Sequence, residues 1–109
     1  MASELFKVAL KPTCSNSAVK LIDGSSGHTY IILSITICET AAAAETFDIY
    51  VDDNDGGTIT YIYKAQALAA NDTFEHTTRI VIEATDALNF ITANSADVDV
   101  VVSYLDQTL

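Results

Sequence analysis

The feature that most constrains this chain is a two-residue alternation of side chains in the segment HTYIILSITICE, residues 28–39. In an extended strand every second side chain points to the same face. One face of this segment carries four large aliphatic residues, namely Ile31, Leu33, Ile35 and Ile37. Most of the segment is β-branched or aromatic, which suits a pleated, half-buried surface. The segment therefore predicts a long central strand with that aliphatic row in the core.

Similar alternation recurs along most of the chain. The segments TFDIYVD and TITYIYKA flank DNDGG, whose residues favour a tight turn, so they predict a hairpin. Further strands are predicted in LFKVAL, AVKLID, RIVIEA, ALNFIT and DVDVVVSYL, the last with Val98, Val100 and Val102 facing the core. About eight strands, separated by turn signals, predict an all-β fold. We expect an antiparallel β-sandwich that is jelly-roll-like.

Two segments are ambiguous from local composition alone. The segment ETAAAAETF favours a helix by its alanines, but it is too short to be stable as an isolated helix. It is predicted to be a loop or a single helical turn. The segment YIYKAQALAAND fits either a short helix or a strand that runs to a corner, and the strand is the favoured interpretation.

The length of 109 residues suits one domain, residues 1–109, with a core of its own. Pro12 restricts Lys11 and is expected to end regular pairing nearby. Residues 1–20 are therefore predicted either to pack on their own domain or to form an extended arm that contacts a neighbour. The charged fraction is only 18% and half the residues are hydrophobic, which indicates that a partner covers part of the surface.

The formal net charge of −10 excludes several classes of partner. Nucleic acid is bound through lysine and arginine. The five basic residues are scattered along the chain: Lys7, Lys11, Lys20, Lys64 and Arg79. We therefore expect neither nucleic-acid binding nor attraction to an anionic membrane. There is no apolar stretch that could span a bilayer and no recognisable signal peptide, so the product is expected to be cytosolic when it is made.

The segment DDNDGG, residues 52–57, is the strongest candidate for a metal site. A calcium-binding EF-hand loop needs an acid or amide at position 5 and a glutamate at position 12. Counting from Asp52 gives Gly56 and Tyr63 at those positions, and counting from Asp53 gives Gly57 and Lys64. Both registers fail, so the segment is predicted to be a solvated hairpin tip, with a calcium loop as the weaker alternative.

The cysteines and histidines form no recognisable site. Cys14 and Cys38 are too few and too widely spaced for a structural zinc site, and a disulfide between them stays open. Cys38 lies in an apolar strand and is expected to be a buried free thiol. His28 is expected to begin a strand, and His76, beside Glu75, is expected to be solvated or to have a cross-strand partner.

No other residues in the sequence suggest catalysis. Asp97 and Asp99 could imitate the paired carboxylates of a glycosidase, but an outward polar face is the simpler interpretation. Tyr61 and Tyr63 suit a core or an interface as well as they suit a glycan platform. We therefore expect no enzyme activity and predict no catalytic, cofactor-binding or metal-ligating residues.

Several short phrases, in order, are similar to those of one group of viral proteins. They are HTYIILSITICE, FDIYV, DDNDGG, AANDTFEH, RIVIEATDAL and ADVDVVVSYLDQT. This order of strands and turns, over about residues 27–108, resembles small β-sandwich virion proteins of tailed bacteriophages, especially marine and cyanobacterial phages. The alanine-rich ETAAAAET departs from that pattern.

The resemblance implies a structural role on a virus particle and carries over no catalytic residue. It implies a capsid decoration or cement protein that binds the outer surface of the head as a homo-oligomer, for example a trimer, with the major capsid protein as partner. The alternative is a module of the tail, connector or fibre, including one that binds glycans or the host. Either way, the expected location is the virion. The acidity favours the outside of the particle, because packaged DNA would repel an acidic subunit.

Overall fold

The computed structural model describes residues 3–53 and 57–108. They form nine β-strands and no helix. The strands are β1 Ser3–Cys14, β2 Val19–Asp23, β3 His28–Glu39, β4 Glu45–Asp52, β5 Ile59–Leu68, β6 Thr73–His76, β7 Ile80–Ile82, β8 Ala87–Thr92 and β9 Val98–Thr108. Every strand pairing is antiparallel, which confirms the predicted all-β class.

The strands form two sheets with jelly-roll connectivity. The first sheet has the order β1-β9-β3-β6, with β7 also paired to β3, and the second has the order β2-β8-β4-β5. β6 and β7 pair with successive parts of β3, so together they occupy one strand position. Counted in this way, the fold has two four-stranded sheets, which is the eight-stranded arrangement of a jelly roll. The predicted sandwich is therefore confirmed.

A β-bulge at Leu33 changes which side chains of β3 reach the core. Ile32 pairs with Tyr104, whereas Ser34 pairs with Ser103, so Leu33 is one extra residue in β3. A bulge of this kind reverses the alternation of faces beyond it. Ile32, Ile35 and Ile37 are fully buried, whereas Ile31 and Leu33 are only partly buried. The prediction of a single core row containing Ile31 and Leu33 was thus wrong for those two residues.

The core lies between the inner faces of the two sheets. Phe47 and Phe90 stack at 5.4 Å between ring centroids and belong to the second sheet, opposite the buried isoleucines of β3. The row of β9 that was predicted to face the core is buried as expected: Val98, Val100 and Val102. Both sheets contribute aromatic and aliphatic side chains to the core, since Phe47 also packs against Phe74 of β6 and Ile49 of β4 is fully buried.

The connections are turns and bends, as most of their sequences predicted. Residues 41–43 are bends, so the alanine-rich segment is a loop, and β5 extends to Leu68 before a turn. β4 and β5 pair as the predicted hairpin, and Gly57 donates its N–H to the carbonyl of Asp53 at 2.7 Å. Residues 54–56, most of the predicted tip, lie outside the described residues, so the calcium alternative remains a prediction without a test.

One glycine is required by a close backbone approach. The Gly24 N–H donates to the carbonyl of Asp86 at 2.7 Å, which joins the β2–β3 turn to the β7–β8 turn. A Cβ atom at position 24 would lie 2.3 Å from the carbonyl oxygen of Glu83 and 2.4 Å from that of Asp86. No side chain fits there, so the contact between the two turns depends on glycine.

The N-terminal segment forms an edge strand of its own domain. β1 pairs with β9 in register from Ser3 to Lys11, and the register then shifts before Cys14. The shift contains Pro12 and Thr13, whose φ is 55°, so regular pairing ends where proline predicted. Contact of this segment with a neighbouring chain stays a prediction.

Candidate interaction surface

One row on the outer face of the first sheet is apolar across the full width of the sheet, whereas the next row places Ser103 and Ser34 beside Val8. The register places Phe6 beside Leu105, Leu105 beside Ile31, and Ile31 beside Val81. These four side chains form one continuous row over β1, β9, β3 and β7. The bulge adds Leu33 to this face, and Val8, Leu10 and Val101 lie on it further along. We call these eight residues the apolar face.

Exposure is concentrated in β1. Among the described residues, four of the seven exposed large hydrophobic side chains lie in this strand. Their exposed fractions are Phe6 80%, Leu10 65%, Val8 55% and Leu5 53%. Phe6, Val8 and Leu10 point to the outer face, where neither sheet covers them. A contiguous exposed apolar patch of this kind marks an interaction site.

The outer face of the second sheet has a different chemistry. Tyr50 and Tyr61 lie side by side at 5.6 Å between ring centroids, and Lys64 lies 4.6 Å from the ring centroid of Tyr61. Lys64 also forms an ion pair with Asp48 at 3.2 Å. This face is the more polar of the two and its charged and phenolic side chains partly pair with one another, although Ile59, 48% exposed, also lies on it beside Asp52. The exposed hydrophobic side chains are concentrated in β1, so the apolar face is the candidate contact surface.

A buried carboxylate fastens β1 and β3 to β9. Asp106 is 3% exposed and accepts hydrogen bonds from Nδ1 of His28 at 2.7 Å and from Nζ of Lys7 at 2.8 Å. The hydrogen bonds from His28 and Lys7 hold the pKa of Asp106 below its ordinary value. His28 begins β3, as predicted, and its ring stacks on Tyr30 at 5.6 Å. The cluster therefore ties the edge strand to the centre of the sheet.

A second buried carboxylate organises two loops at the opposite end of β3. Glu39 is 2% exposed, and its carboxylate accepts the N–H groups of Asn71, Ala43 and Ala41 at 3.0, 3.1 and 2.7 Å. These hydrogen bonds, that from Asn71 foremost, lower the pKa of Glu39. Glu39 thus fixes both the alanine-rich loop and the β5–β6 corner, where Asn71 has a φ of 57°.

We expect Glu39→Gln to lower the melting temperature at neutral pH. Both carboxylate oxygens accept backbone N–H groups, and an amide would place its own donors against one of them. Because the folded pKa is lowered, the stabilisation is present above the unfolded pKa and is lost as the pH falls through the folded value. Thermal unfolding followed by circular dichroism measures the effect. The exposed Glu75→Gln is the matched control, and an equal loss in both variants would contradict the role of Glu39.

His76 joins the two sheets at their open edge. It is 6% exposed, its Nε2 lies 2.5 Å from the carbonyl of Thr78, and its Nδ1 lies 2.7 Å from the hydroxyl of Tyr63. The carbonyl can only accept, so Nε2 carries a proton and donates it. The hydroxyl of Tyr63 completes the hydrogen bonding of the ring at Nδ1. His76 is therefore a buried structural residue and not a solvated one, and its side-chain partner lies in the other sheet and not on a neighbouring strand of its own sheet, as had been predicted.

The remaining candidates from the sequence do not converge on a site. Cys14 and Cys38 are both free thiols. Cys14 is buried, whereas Cys38 is only partly buried, so its predicted burial was incomplete. Asp99 accepts the N–H of Thr13, and the described hydrogen bonds of the His28 and His76 rings go to Asp106, Tyr63 and Thr78.

Two negative findings concern the parts of the chain that the structure describes. Across residues 3–53 and 57–108, no group of three or more His, Cys, Asp or Glu side chains is arranged to hold a metal ion. Those same residues contain no helix long and apolar enough to cross a bilayer.

Sequence reasoning missed both buried carboxylates, although a signal was present. Asp106 continues the two-residue spacing of Val98, Val100 and Val102, and Glu39 continues that of Ile35 and Ile37. An acid in phase with a core row is expected to be buried and paired. No comparable signal predicted the apolar face, because the residues around Leu33 alternate as in a regular strand. The sequence therefore gives no sign of the bulge that places Leu33 on the outer face.

Comparison with known proteins shows similarity at the level of fold only. No protein-family model matches the sequence, and no curated protein matches it. A subunit of the disulfide-linked pili that form Bacillus endospore appendages aligns with a TM-score of 0.60 and 12% identity, over 100% of this chain and 91% of that one. A chain in the acid-stable capsid structure of Helicobacter pylori bacteriophage KHP30 aligns with a TM-score of 0.53 and 15% identity, over 97% and 92%.

A third similar structure is much longer than this chain. VP2 in the subviral particle of infectious bursal disease virus aligns with a TM-score of 0.56 and 11% identity, over 99% of this chain but only 32% of VP2. The alignment therefore covers about a third of the length of VP2. Together the three alignments establish that this chain has a β-sandwich fold that also occurs in viral capsid and pilus proteins.

Proposed function

We propose that this chain is a structural virion protein of a bacteriophage, and specifically a capsid decoration or cement protein. The observation that carries the proposal is the broad apolar face on a small sandwich whose other face is polar. A domain with one such face is suited to permanent contact with other protein subunits. The major capsid protein and further copies of this chain, for example in a trimer, are the proposed partners.

Two further observations support a place on the outside of the head. The matched chain of the phage KHP30 capsid structure is about as long as this chain, so a small single sandwich occurs in a phage capsid. Packaged DNA would repel a subunit with a net charge of −10, whereas the outer surface of the head would not.

A second candidate is a subunit of a tail, connector or fibre. The alignment with the endospore pilus subunit, which covers nearly all of both chains, favours it, because this fold also builds filaments. A fibre module that binds glycans or a host receptor belongs to the same alternative, and the paired Tyr50 and Tyr61 on the polar face would be its binding surface.

Quantitative mass spectrometry of gradient-purified particles tests the proposal. A decoration protein is expected at a fixed ratio to the major capsid protein, and purified chain should rebind to particles that have been stripped of it. A copy number far below that of the capsid protein would move the assignment to the tail or fibre. Absence of the chain from particles would refute both the decoration role and the tail or fibre role. Clear hits on a glycan array by a monomeric chain would favour a stand-alone binding module.

A further inference from the structure

The β1 strand has one edge that no other strand covers. It contains twelve residues, and β9 pairs with only one of its edges. Within residues 3–53 and 57–108, no strand pairs with the other edge. An unpaired strand edge presents N–H and C=O groups that can continue the sheet into another chain.

The usual protection of an edge strand is weak in β1. Natural edges are blocked by charges, proline or short length. Here Pro12 lies only at the far end, and the charge of Lys7 is held by Asp106 at 2.8 Å. Glu4 and Lys11 carry further charges near the two ends of the strand, whereas Phe6, Val8 and Leu10 form one exposed apolar row along the outer face of its middle part. The edge is therefore suited to pairing.

We propose that β1 pairs antiparallel with β1 of a second copy of this chain, about a two-fold axis at Val8. The first sheets of the two copies then form one continuous sheet, with the apolar faces joined on one side. The inference deepens the self-association within the proposed function, on which it rests. It assigns the contact to a strand edge and its symmetry to a two-fold axis.

The choice of register follows from the positions of the lysines. A two-fold axis perpendicular to the sheet keeps the two outer faces on one side, so opposed residues have the same parity. An axis at Lys7 would set that lysine against the partner's Lys7, and an axis at Ala9 would set Lys7 against the partner's Lys11. Like charges that are directly opposed destabilise a strand pair. Both registers are therefore disfavoured.

An axis at Val8 gives a self-complementary pair. Phe6 then opposes the partner's Leu10, and Val8 opposes the partner's Val8. On the other face, Lys7 opposes the partner's Ala9, and Leu5 opposes the partner's Lys11. No two like charges meet. All three exposed apolar residues of the outer row gain an apolar neighbour.

More distant axes give poorer pairs. An axis at Phe6 sets Glu4 against the partner's Val8 and leaves Leu10 beyond the strand pair. An axis at Leu10 sets Val8 against the partner's Pro12, where regular pairing with β9 has ended. The second copy is favoured over an unrelated strand because β1 itself supplies compatible residues from Leu5 to Lys11 in the Val8 register, and only beyond them does Glu4 oppose the partner's Pro12.

Sedimentation equilibrium of the purified chain tests the association. We expect a mass that rises with concentration to twice 11.7 kDa. Val8→Lys puts two lysines against each other at the axis and should return the monomer mass. The matched control is Val81→Lys, because Val81 is 54% exposed and Val8 is 55% exposed, and Val81 lies at the opposite edge of the same sheet. The control should remain a dimer, and circular dichroism should show both variants folded.

Disulfide trapping tests the register. The parent is Cys38→Ser, which removes the partly exposed native thiol. In this parent, Val8→Cys should give a disulfide-linked dimer on mild oxidation, because directly opposed residues lie about 4.5–5.5 Å apart between Cα atoms. Leu10→Cys should give no disulfide-linked dimer, because the two introduced cysteines would lie four residues apart, about 13 Å along the strand pair.

The following outcomes overturn the contact, its register or the proposed function. A monomer at every concentration, a trimer in place of a dimer, or loss of the dimer in Val81→Lys but not in Val8→Lys excludes the β1 contact. Trapping through Leu10→Cys and not through Val8→Cys excludes the Val8 register. A chain that is monomeric in solution but present in purified particles refutes this contact and leaves the proposed function intact. A dimer that is absent from particles refutes the function and leaves the contact intact.

Discussion

Replacing Ile35 with aspartate is expected to unfold the protein. Ile35 is 0% exposed and lies in the centre of β3, paired with Val102 on one side and His76 on the other. A carboxylate at this position would lie among apolar core side chains, beside the ring of His76, whose two nitrogens already have Tyr63 and Thr78 as partners. The cost is expected to exceed about 5 kcal/mol, which is comparable with the whole stability of a small domain.

The matched control for Ile35→Asp is Leu33→Asp, two residues earlier in the same strand. A regular strand would place both side chains on one face, whereas the bulge places Leu33 on the outer face, where it is partly buried. We expect Leu33→Asp to fold with a much smaller loss in the free energy of unfolding measured in urea. Equal losses in the two variants would show that the bulge assignment is wrong.

Replacing Asp106 with asparagine is expected to lower the free energy of unfolding by about 3 kcal/mol at pH 7. The carboxylate accepts two charge-assisted hydrogen bonds, from His28 and Lys7, and an amide would weaken both. Because Lys7 anchors β1 and His28 begins β3, fraying of the edge strand should accompany the loss. Denaturant unfolding measures the free energy, and amide exchange in β1 locates the fraying.

The pH dependence gives a second readout of Asp106. Its folded pKa is lowered, by the hydrogen bond from His28 first and that from Lys7 next. Its contribution to stability is therefore complete above the unfolded pKa, about 3.9, and is lost as the pH falls through the folded value. The difference between wild type and Asp106→Asn should narrow in acid below pH ~4. Asp23→Asn is the control, because the side chain of Asp23 is 64% exposed and its ion pair with Lys20 is long, at 3.8 Å.

Alternation and turn residues were sufficient to predict the strands. Each predicted strand from AVKLID onwards corresponds to an observed one, because a sheet with one buried face imposes a two-residue period on the sequence. The one departure was the segment that precedes RIVIEA, where TFEH forms the additional short strand β6. The N-terminal strand extends further than LFKVAL, because β9 is long enough to pair with it from Ser3 onwards.

The sequence by itself determined the all-β class, the β4–β5 hairpin, the core row of β9 and the acidic character that disfavours nucleic acid. Each of these properties depends either on the local order of residues or on the overall composition. Tertiary structure alone decided that Leu33 is the extra residue of a bulge, that Asp106 is buried among donors from β1 and β3, that Glu39 is buried between two loops, and that no strand of the described residues covers one edge of β1. Those features depend on which strands become neighbours, and packing between residues far apart in the sequence, such as His28 and Asp106, decides that.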